Sequence, residues 1–307
     1  MATVDRTKPQ TPLLGRGPNG RRKVVGRMGP WQLVRMLGEG QLTRVYLARP
    51  ADASSEETRA EAAYAVKTLK KEWWGDSSAI AAQRREAWIG RRLSHPHLAP
   101  VLSASVDAPP FYVVMPCLQG ETAEQTLSSQ NRFALPTALW VARQVAQGLA
   151  ALHESLGMIH GDVKPANIMV GPDGHTTLLD LGFCQTPEEA RGWADRAVVG
   201  TLRYMAPERL TSTSLIDVRS DLYSLGATLY ELIAGQPPFA SDAPAQLIAL
   251  HREQRPKPLD EARPGTPESV ARLVDRLLAK DPLRRGDSPQ ELADELIGLE
   301  IECFGLR

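Results

Sequence analysis

The 307 residues of this chain read as an α+β protein of two unlike lobes, a strand-rich first third followed by a helix-rich remainder. Its length supports that reading, since it corresponds to roughly two domains of about 150 residues each. Composition agrees: 42% hydrophobic and 23% charged residues are globular averages and exclude a disordered chain, a collagen or a coiled-coil rod. Thirty-six basic residues balance thirty-six acidic ones, so nothing global points to nucleic acid or an anionic membrane. Any partner has to be read locally.

Residues 1–30 hold seven basic side chains against the single acid Asp5, with four prolines and no apolar periodicity. They read as a disordered basic tail, either solvated or docked on an acidic surface. From Trp31 the pattern changes to short apolar or alternating runs that read as strands: Trp31 to Leu37, Thr43 to Leu47, Tyr64 to Leu69, Leu98 to Val106 and Phe111 to Met115. A helix over Ser77 to Leu93 interrupts them, and Pro50 to Ala63, carrying Asp52, Glu56, Glu57 and Glu61, reads as a solvated loop. After Gly120 helical spacing takes over. Leu139, Ala142, Ala146, Leu149 and His153 share one face, and Leu222, Leu225, Leu229 and Leu232 repeat at intervals of three and four. Two later helices are expected near Glu268 to Leu278 and Pro289 to Leu299. The lobes are therefore assigned to 31–118 and 119–302, joined near Pro116 to Gly120, with the ligand site expected in the cleft between them.

Cys117, Cys184 and Cys303 are too few and too scattered for a disulfide framework or a paired metal site, which fits a reducing, cytoplasmic setting. Cys117, in the joint, and Cys184 are candidates for accessible thiols. No run approaches a membrane span, since Ala138 to Leu152 is broken by Arg143, Gln144 and Gln147.

Leu37-Gly38-Glu39-Gly40 sets two glycines in a tight turn between the first two strands, where bare backbone amides can approach a polyphosphate. Alone this is weak, because a turn needing positive φ would also explain the glycines. Ala65-Val66-Lys67 then puts an ammonium on the third strand, and Glu86 on the following helix is its natural counter-charge. Further on, Ile159-His160-Gly161-Asp162-Val163-Lys164-Pro165-Ala166-Asn167 gathers a carboxylate, an ammonium and an amide in one loop. Leu178-Leu179-Asp180-Leu181-Gly182 ends an apolar strand on a second carboxylate. Asn167 and Asp180 offer hard oxygen ligands suited to Mg²⁺.

The order and spacing of these motifs resemble the eukaryotic-type protein kinase superfamily, and most of all its bacterial serine/threonine members. The resemblance runs from Trp31 to about Glu300. It includes Ala206-Pro207-Glu208, Asp221-Leu222-Tyr223-Ser224-Leu225-Gly226, Pro237-Pro238-Phe239 and Lys280-Asp281-Pro282-Leu283-Arg284-Arg285, none of which handles phosphate. It implies a two-lobed kinase-like fold, a small antiparallel sheet plus one helix above a large helical lobe. It also implies transfer of the γ-phosphate of ATP, with Mg²⁺, to serine or threonine hydroxyls of a protein.

By resemblance, Gly38 and Gly40 cover the phosphates, and Lys67 held by Glu86 grips the α- and β-phosphates. Asn167 and Asp180 hold Mg²⁺, Asp162 takes the substrate hydroxyl proton, and Lys164 contacts the γ-phosphate with Thr201 bridging base and lysine. The adenine is expected between Leu37, Val45 and Ala65 above and Met169 below, beside Met115. Its edge bonds the Pro116 carbonyl and the Leu118 amide. Asp221 and the pair Glu208 with Arg285 are expected to be structural, and His160 to pack beneath its loop. A homodimer through the small lobe is common in similar proteins.

Three positions depart from the family pattern. Thr43 replaces the third glycine of the phosphate loop, which implies a weaker grip on nucleotide. Leu181 replaces phenylalanine in the magnesium motif. Gly161 stands where many members carry the arginine that pairs with a phosphorylated activation segment, so switching through that pairing is expected to be absent unless Arg191 or Arg203 serves instead. Between Phe183 and Met205 the only serine or threonine hydroxyls are Thr186 and Thr201. Two competing readings remain. His-Gly-Asp also resembles the aminoglycoside and choline kinases, although Lys164 and Ala206-Pro207-Glu208 argue against them. A pseudokinase scaffold is the other, although all five polar groups for phosphoryl transfer are present.

Overall fold

A computed structural model of the chain describes residues 25–52, 63–190, 202–210 and 216–304. The small lobe is an antiparallel sheet in the order β1-β2-β3-β4-β6-β5. Its strands are β1 Gly26–Met28, β2 Trp31–Glu39, β3 Thr43–Pro50, β4 Tyr64–Leu69, β5 Ser103–Ser105 and β6 Tyr112–Pro116. Alternation along β4 decides which face does what. Val66 points to the outer face, where it packs with Leu33, Ala48 and Val114 under Trp31, Tyr46 and Tyr64. Ala65 and Lys67 point to the opposite face, opposite Met115 and Val113 on β6 and Leu47 and Val45 on β3.

Helix α1, Ser77–Arg92, covers part of that inner face. The Asp76 side chain caps its start by accepting from Ser78 N at 3.0 Å and Ala79 N at 2.8 Å, and Arg91 and Arg92 sit at its negative end. Its buried residues Ala79, Gln83, Glu86, Ala87 and Gly90 recur at helical spacing. Glu86 thus faces inward because it belongs to the apolar stripe.

The large lobe begins with β7, Glu121–Thr122, and α2, Ala123–Gln130, followed by α3, Leu135–Leu156. Strands β8, Ile168–Val170, and β9, Thr176–Leu178, pair with β7 in a second small sheet. After the short turn α4, Pro187–Ala190, come α5 Val218–Ala234, α6 Pro244–Glu253, α7 Leu259–Ala262, α8 Glu268–Leu277 and α9 Pro289–Phe304. Helix α5 is buried along nearly its whole length, so its leucine repeat is only part of an apolar surface that meets neighbours all round. One core joins α3, α5, α8 and α9, and reaches Ile89 of α1 and Leu98 below it. Hydrophobic burial therefore runs through the back of the cleft and ties α1 to the large lobe. No helix among the described residues is long and apolar enough to cross a membrane.

The two-lobed α+β class is borne out, and the differences are local. The tail expected over 1–30 ends earlier, because Gly26–Met28 pairs with β2 and Met28 packs against the outer cluster. Residues 1–24 lie outside the described residues, as do 53–62 of the expected solvated loop. The strand expected over Leu98 to Val106 shrinks to Ser103–Ser105. Pro100 has no N–H to give a ladder, and the residues before it are tied elsewhere: Ala99 N donates to Leu178 O at 3.0 Å and Leu178 N to His97 O at 2.9 Å. Cys184 is fully buried and is no accessible thiol; Cys117 is half-buried, and burial raises its pKa despite Arg35 nearby.

Candidate active site

Three elements deliver the charged groups of the cleft. Strand β4 carries Lys67, α1 carries Glu86, and the turn after β9 carries Asp180. Lys67 Nζ donates to both Glu86 oxygens, at 2.9 and 2.8 Å, and to Asp180 Oδ1 at 2.8 Å. Burial alone would depress this ammonium, but Asp180 and Glu86 outweigh it and hold its pKa above the ordinary lysine value. Lys67 is therefore a fixed cation. Burial raises the Glu86 pKa against the pull of Lys67, whereas for Asp180 the ammonium overcomes burial and the pKa falls.

Asp180 adopts φ 62°, ψ 68°, a left-handed conformation that aspartate tolerates better than most side chains and that turns it out of the strand. Next to it, Leu181 is buried in the large-lobe core. A Cβ at Gly182 would lie 3.0 Å from the Ala82 carbonyl of α1, so glycine is what lets the helix back so closely onto this turn.

The catalytic-loop candidate, 159–167, is held from below. Asp221 of α5 accepts from His160 N at 2.6 Å and Gly161 N at 2.9 Å. His160 is fully buried, and its Nδ1 accepts from Asp162 N at 3.2 Å. Its Nε2 must then carry the proton and donate to Leu179 O at 3.0 Å, which fixes the tautomer. Asp162 Oδ2 takes Lys164 Nζ at 2.8 Å and Asn167 Nδ2 at 2.8 Å. Its other oxygen, Oδ1, is buried with no hydrogen-bond partner among the described residues. A buried carboxylate oxygen left unpaired in this way is costly, and a donor from outside the chain would remove the cost.

The donor set fits a divalent cation that also takes phosphate oxygens and waters. Asn167 Nδ2 is committed to Asp162, to its backbone carbonyl at 2.8 Å as well as to Oδ2, so Oδ1 is the atom of Asn167 that a cation would take. Asp180 is the second hard donor. Among the described residues there is no group of three or more His, Cys, Asp or Glu that could hold a metal ion by itself.

Gly38 lies near the end of β2, paired with Val45, and Gly40 follows it in the exposed turn to β3. Neither has positive φ, and a Cβ at Gly38 would meet nothing within 4 Å. The turn-geometry explanation for these glycines therefore does not hold; Gly38 faces open space, whereas a Cβ at Gly40 would lie 3.8 Å from Thr43 Oγ1. Glu39 between them is anchored to Arg44 at 3.1 Å and Lys70 at 2.8 Å. Thr43 starts β3, and its carbonyl accepts from Gly40 N at 2.9 Å.

Val45, Ala65 and Met115 share the inner sheet face with Lys67. Leu37 is on β2, and Met169 faces Thr177 and Thr122 in the lower sheet. Pro116 ends β6 opposite Tyr64, and Leu118 follows after Cys117 N has bonded Ala63 O at 2.8 Å. Thr201 and Arg191 lie outside the described residues.

Arg209 was not singled out from sequence, and neither was the tethering role of Asp221 toward the loop backbone. Both act on residues far away in the chain, and only their types are visible in sequence. Glu208 and Arg285, by contrast, form the expected ion pair at 2.6 and 2.9 Å.

The family model described as "Protein kinase domain" matches residues 31–297. The chain is similar to the serine/threonine-protein kinase PknD of Mycobacterium tuberculosis, 32% identical over 273 residues that cover 88% of this chain and 40% of that protein. It is likewise similar to PknB of Mycobacterium leprae, at 32% over 272 residues, 87% of this chain and 42% of that protein. A third relative is PknH of Mycobacterium bovis, at 33% over 272 residues, 88% of this chain and 44% of that protein. The chain thus spans about two fifths of the length of these relatives.

Proposed function

The chain belongs to the protein kinase domain family, and on that premise we propose that it transfers the γ-phosphoryl group of ATP to serine or threonine hydroxyls of a protein. One observation carries the reading. Lys67 is locked between Glu86 and Asp180 while, in the same cleft, Asp162 keeps Oδ1 unpartnered among the described residues. That combination suits a fixed cation for phosphate and a base waiting for a hydroxyl.

Asp162 Oδ1 accepts the hydrogen bond of the acceptor hydroxyl and then its proton, as the hydroxyl oxygen bonds phosphorus and the bond from phosphorus to the ADP oxygen breaks. Asn167 and Lys164 hold Asp162 Oδ2, which leaves Oδ1 as the reacting atom. Lys67 neutralises phosphate oxygens, and Glu86 keeps it from wandering. The bare α-carbon of Gly38, with nothing within 4 Å of where a Cβ would stand, lets phosphates approach the backbone there closely. A divalent cation on Asn167 and Asp180, when bound, supplies further positive charge to the phosphates. Thr201 bridges Asp162 and Lys164 in this reading, and the adenine lies among Leu37, Val45, Ala65, Met115 and Met169, with its edge on Pro116 O and Leu118 N.

The second part of the proposal concerns control: the cleft does not need a phosphorylated activation segment acting through the residue before Asp162. Gly161 supplies no cation there. Thr186 is engaged locally, its hydroxyl accepting from Glu189 N at 3.4 Å and its N–H bonding Glu189 Oε2 at 3.2 Å. Incubation with Mg²⁺, γ-labelled ATP and a basic protein substrate tests the activity. Label on protein serine or threonine supports it. Label on an aminoglycoside instead, or nucleotide bound but never cleaved, overturns it.

A further inference from the structure

At Gly161 the backbone is gripped from both sides. Its N–H is held by Asp221, and its carbonyl accepts from Arg209 Nη1 at 2.8 Å. Arg209 comes from the end of the segment that begins at Asp180, one residue after Ala206-Pro207-Glu208. The fit is tight. A Cβ built at Gly161 would lie 2.7 Å from Arg209 Nη1 and 3.2 Å from Nη2, so any side chain at 161 would displace the guanidinium. Gly161 also has φ +78°, a conformation that favours glycine.

Arg209 is 9% exposed, and the carboxylates of Asp221, Asp162 and Glu208 surround it electrostatically, offsetting the burial that depresses its pKa. A buried arginine is retained only where it is paired and hydrogen-bonded. The contact ends on the peptide that leads directly into Asp162.

We propose that Arg209 is the positioning residue of Asp162, its guanidinium seated on the bare α-carbon of Gly161 and fastening the catalytic loop to the end of the activation segment without a phosphate. The inference rests on the kinase reading above and deepens it. An arginine side chain at 161 would point a mobile cation toward a phosphorylated loop. Here the cation arrives from the opposite partner and is already consumed. Glycine 161 and arginine 209 are two halves of one device, since either one replaced by a larger or shorter residue undoes the contact.

The test compares the full chain with Arg209→Ala, Arg209→Lys and Arg209→Gln. Steady-state kinetics, nucleotide Kd and hydrogen exchange of the peptide over 158–164 are measured for each. Arg209→Ala is expected to lower kcat about 10- to 100-fold, with KM for ATP and nucleotide Kd within about twofold, and to speed exchange at 158–164. Arg209→Lys recovers part of kcat, and phosphatase treatment leaves the wild-type rate unchanged. A purely structural role would lower thermal stability and leave kcat of the folded fraction intact, which overturns the proposal, as does unchanged exchange at 158–164.

Should Arg209→Ala not fold, Arg209→Gln takes its place, keeping much of the side chain's bulk while removing the guanidinium that reaches the Gly161 carbonyl. Faster exchange at 158–164 supports the proposal, and wild-type exchange there overturns it. Exchange does not depend on turnover, so a wild-type protein that transfers no phosphate would sink the functional reading while the positioning claim is still decided.

Discussion

Replacing Arg285 by alanine should destabilise the large lobe severely. Its guanidinium is fully buried and donates five hydrogen bonds. Two go to Glu208, at 2.6 and 2.9 Å, and three to the carbonyls of Ala279 at 2.8 Å, Arg219 at 3.1 Å and Lys280 at 3.2 Å. It also stacks 4.8 Å from the Tyr223 ring. Truncation strands the Glu208 carboxylate away from its cation, which typically costs about 3 to 5 kcal/mol. The three carbonyls and the volume left by the side chain add to that, so a loss of about 5 kcal/mol is expected.

Such a loss would consume a third or more of the ~5 to 15 kcal/mol that holds a typical protein folded. At about 2 to 4 °C per kcal/mol for a lobe of this size it lowers Tm by roughly 10 to 20 °C. Urea unfolding followed by circular dichroism measures it, and Arg285→Lys, which keeps the charge but fewer donors, should fall in between. A change below about 1 kcal/mol for Arg285→Ala would refute the reasoning that this pair is a buried tether.

Asp162→Asn should cut kcat by about 10²- to 10⁴-fold with nucleotide Kd little changed, read by initial rates beside calorimetric binding. Thr186→Ala should lower stability by about 1 kcal/mol through loss of a cap and leave the transfer rate within twofold; a tenfold fall in rate would mean that Thr186 does regulate. Stripping divalent cations with a chelator should abolish transfer, and added Mg²⁺ should restore it.

His251 gives a pH signature. Buried beside Lys280, Tyr223 and Phe239, with Nδ1 against the Tyr223 hydroxyl at 2.8 Å, it is pushed down to about 4, mainly by burial and then by Lys280. The unfolded chain takes this proton near 6.5, so stability is full above that pH and drains away as pH falls toward 4, by about 3 kcal/mol in all. In urea titrations between pH 4 and 7, His251→Gln should flatten the slope.

The halves of the fold that rest on periodicity were legible in the chain itself. Alternation gave β4 at Tyr64–Leu69, and the leucine repeat gave the helix over Val218–Ala234. Leu98 to Val106 misled because apolar content cannot reveal that Pro100 breaks the ladder and that Ala99 bonds Leu178 across the lobes. Helix α2 went unseen although Thr122 and Gln125 spell a capping box that the structure completes, at 2.8 and 3.2 Å.

At the site, Lys67, Glu86, Asp162, Asn167 and Asp180 stood out because their types and order carry the chemistry. Arg209 did not. It touches Gly161 across 48 residues, and no local rule links an arginine there to a missing side chain so far upstream.

The carboxylate of Asp221 fastens two successive amides of the loop to the most enclosed helix of the molecule. The base on that loop is thereby a passenger of the deepest scaffold and not of the surface. Warming or denaturant should leave its alignment untouched until the whole lower lobe gives way, so that turnover and the global melting transition vanish together. The upper grip on phosphate, borne by a strand and a separate helix, hangs from the same scaffold, since Lys67 reaches Asp180 and Ile89 joins the lower core.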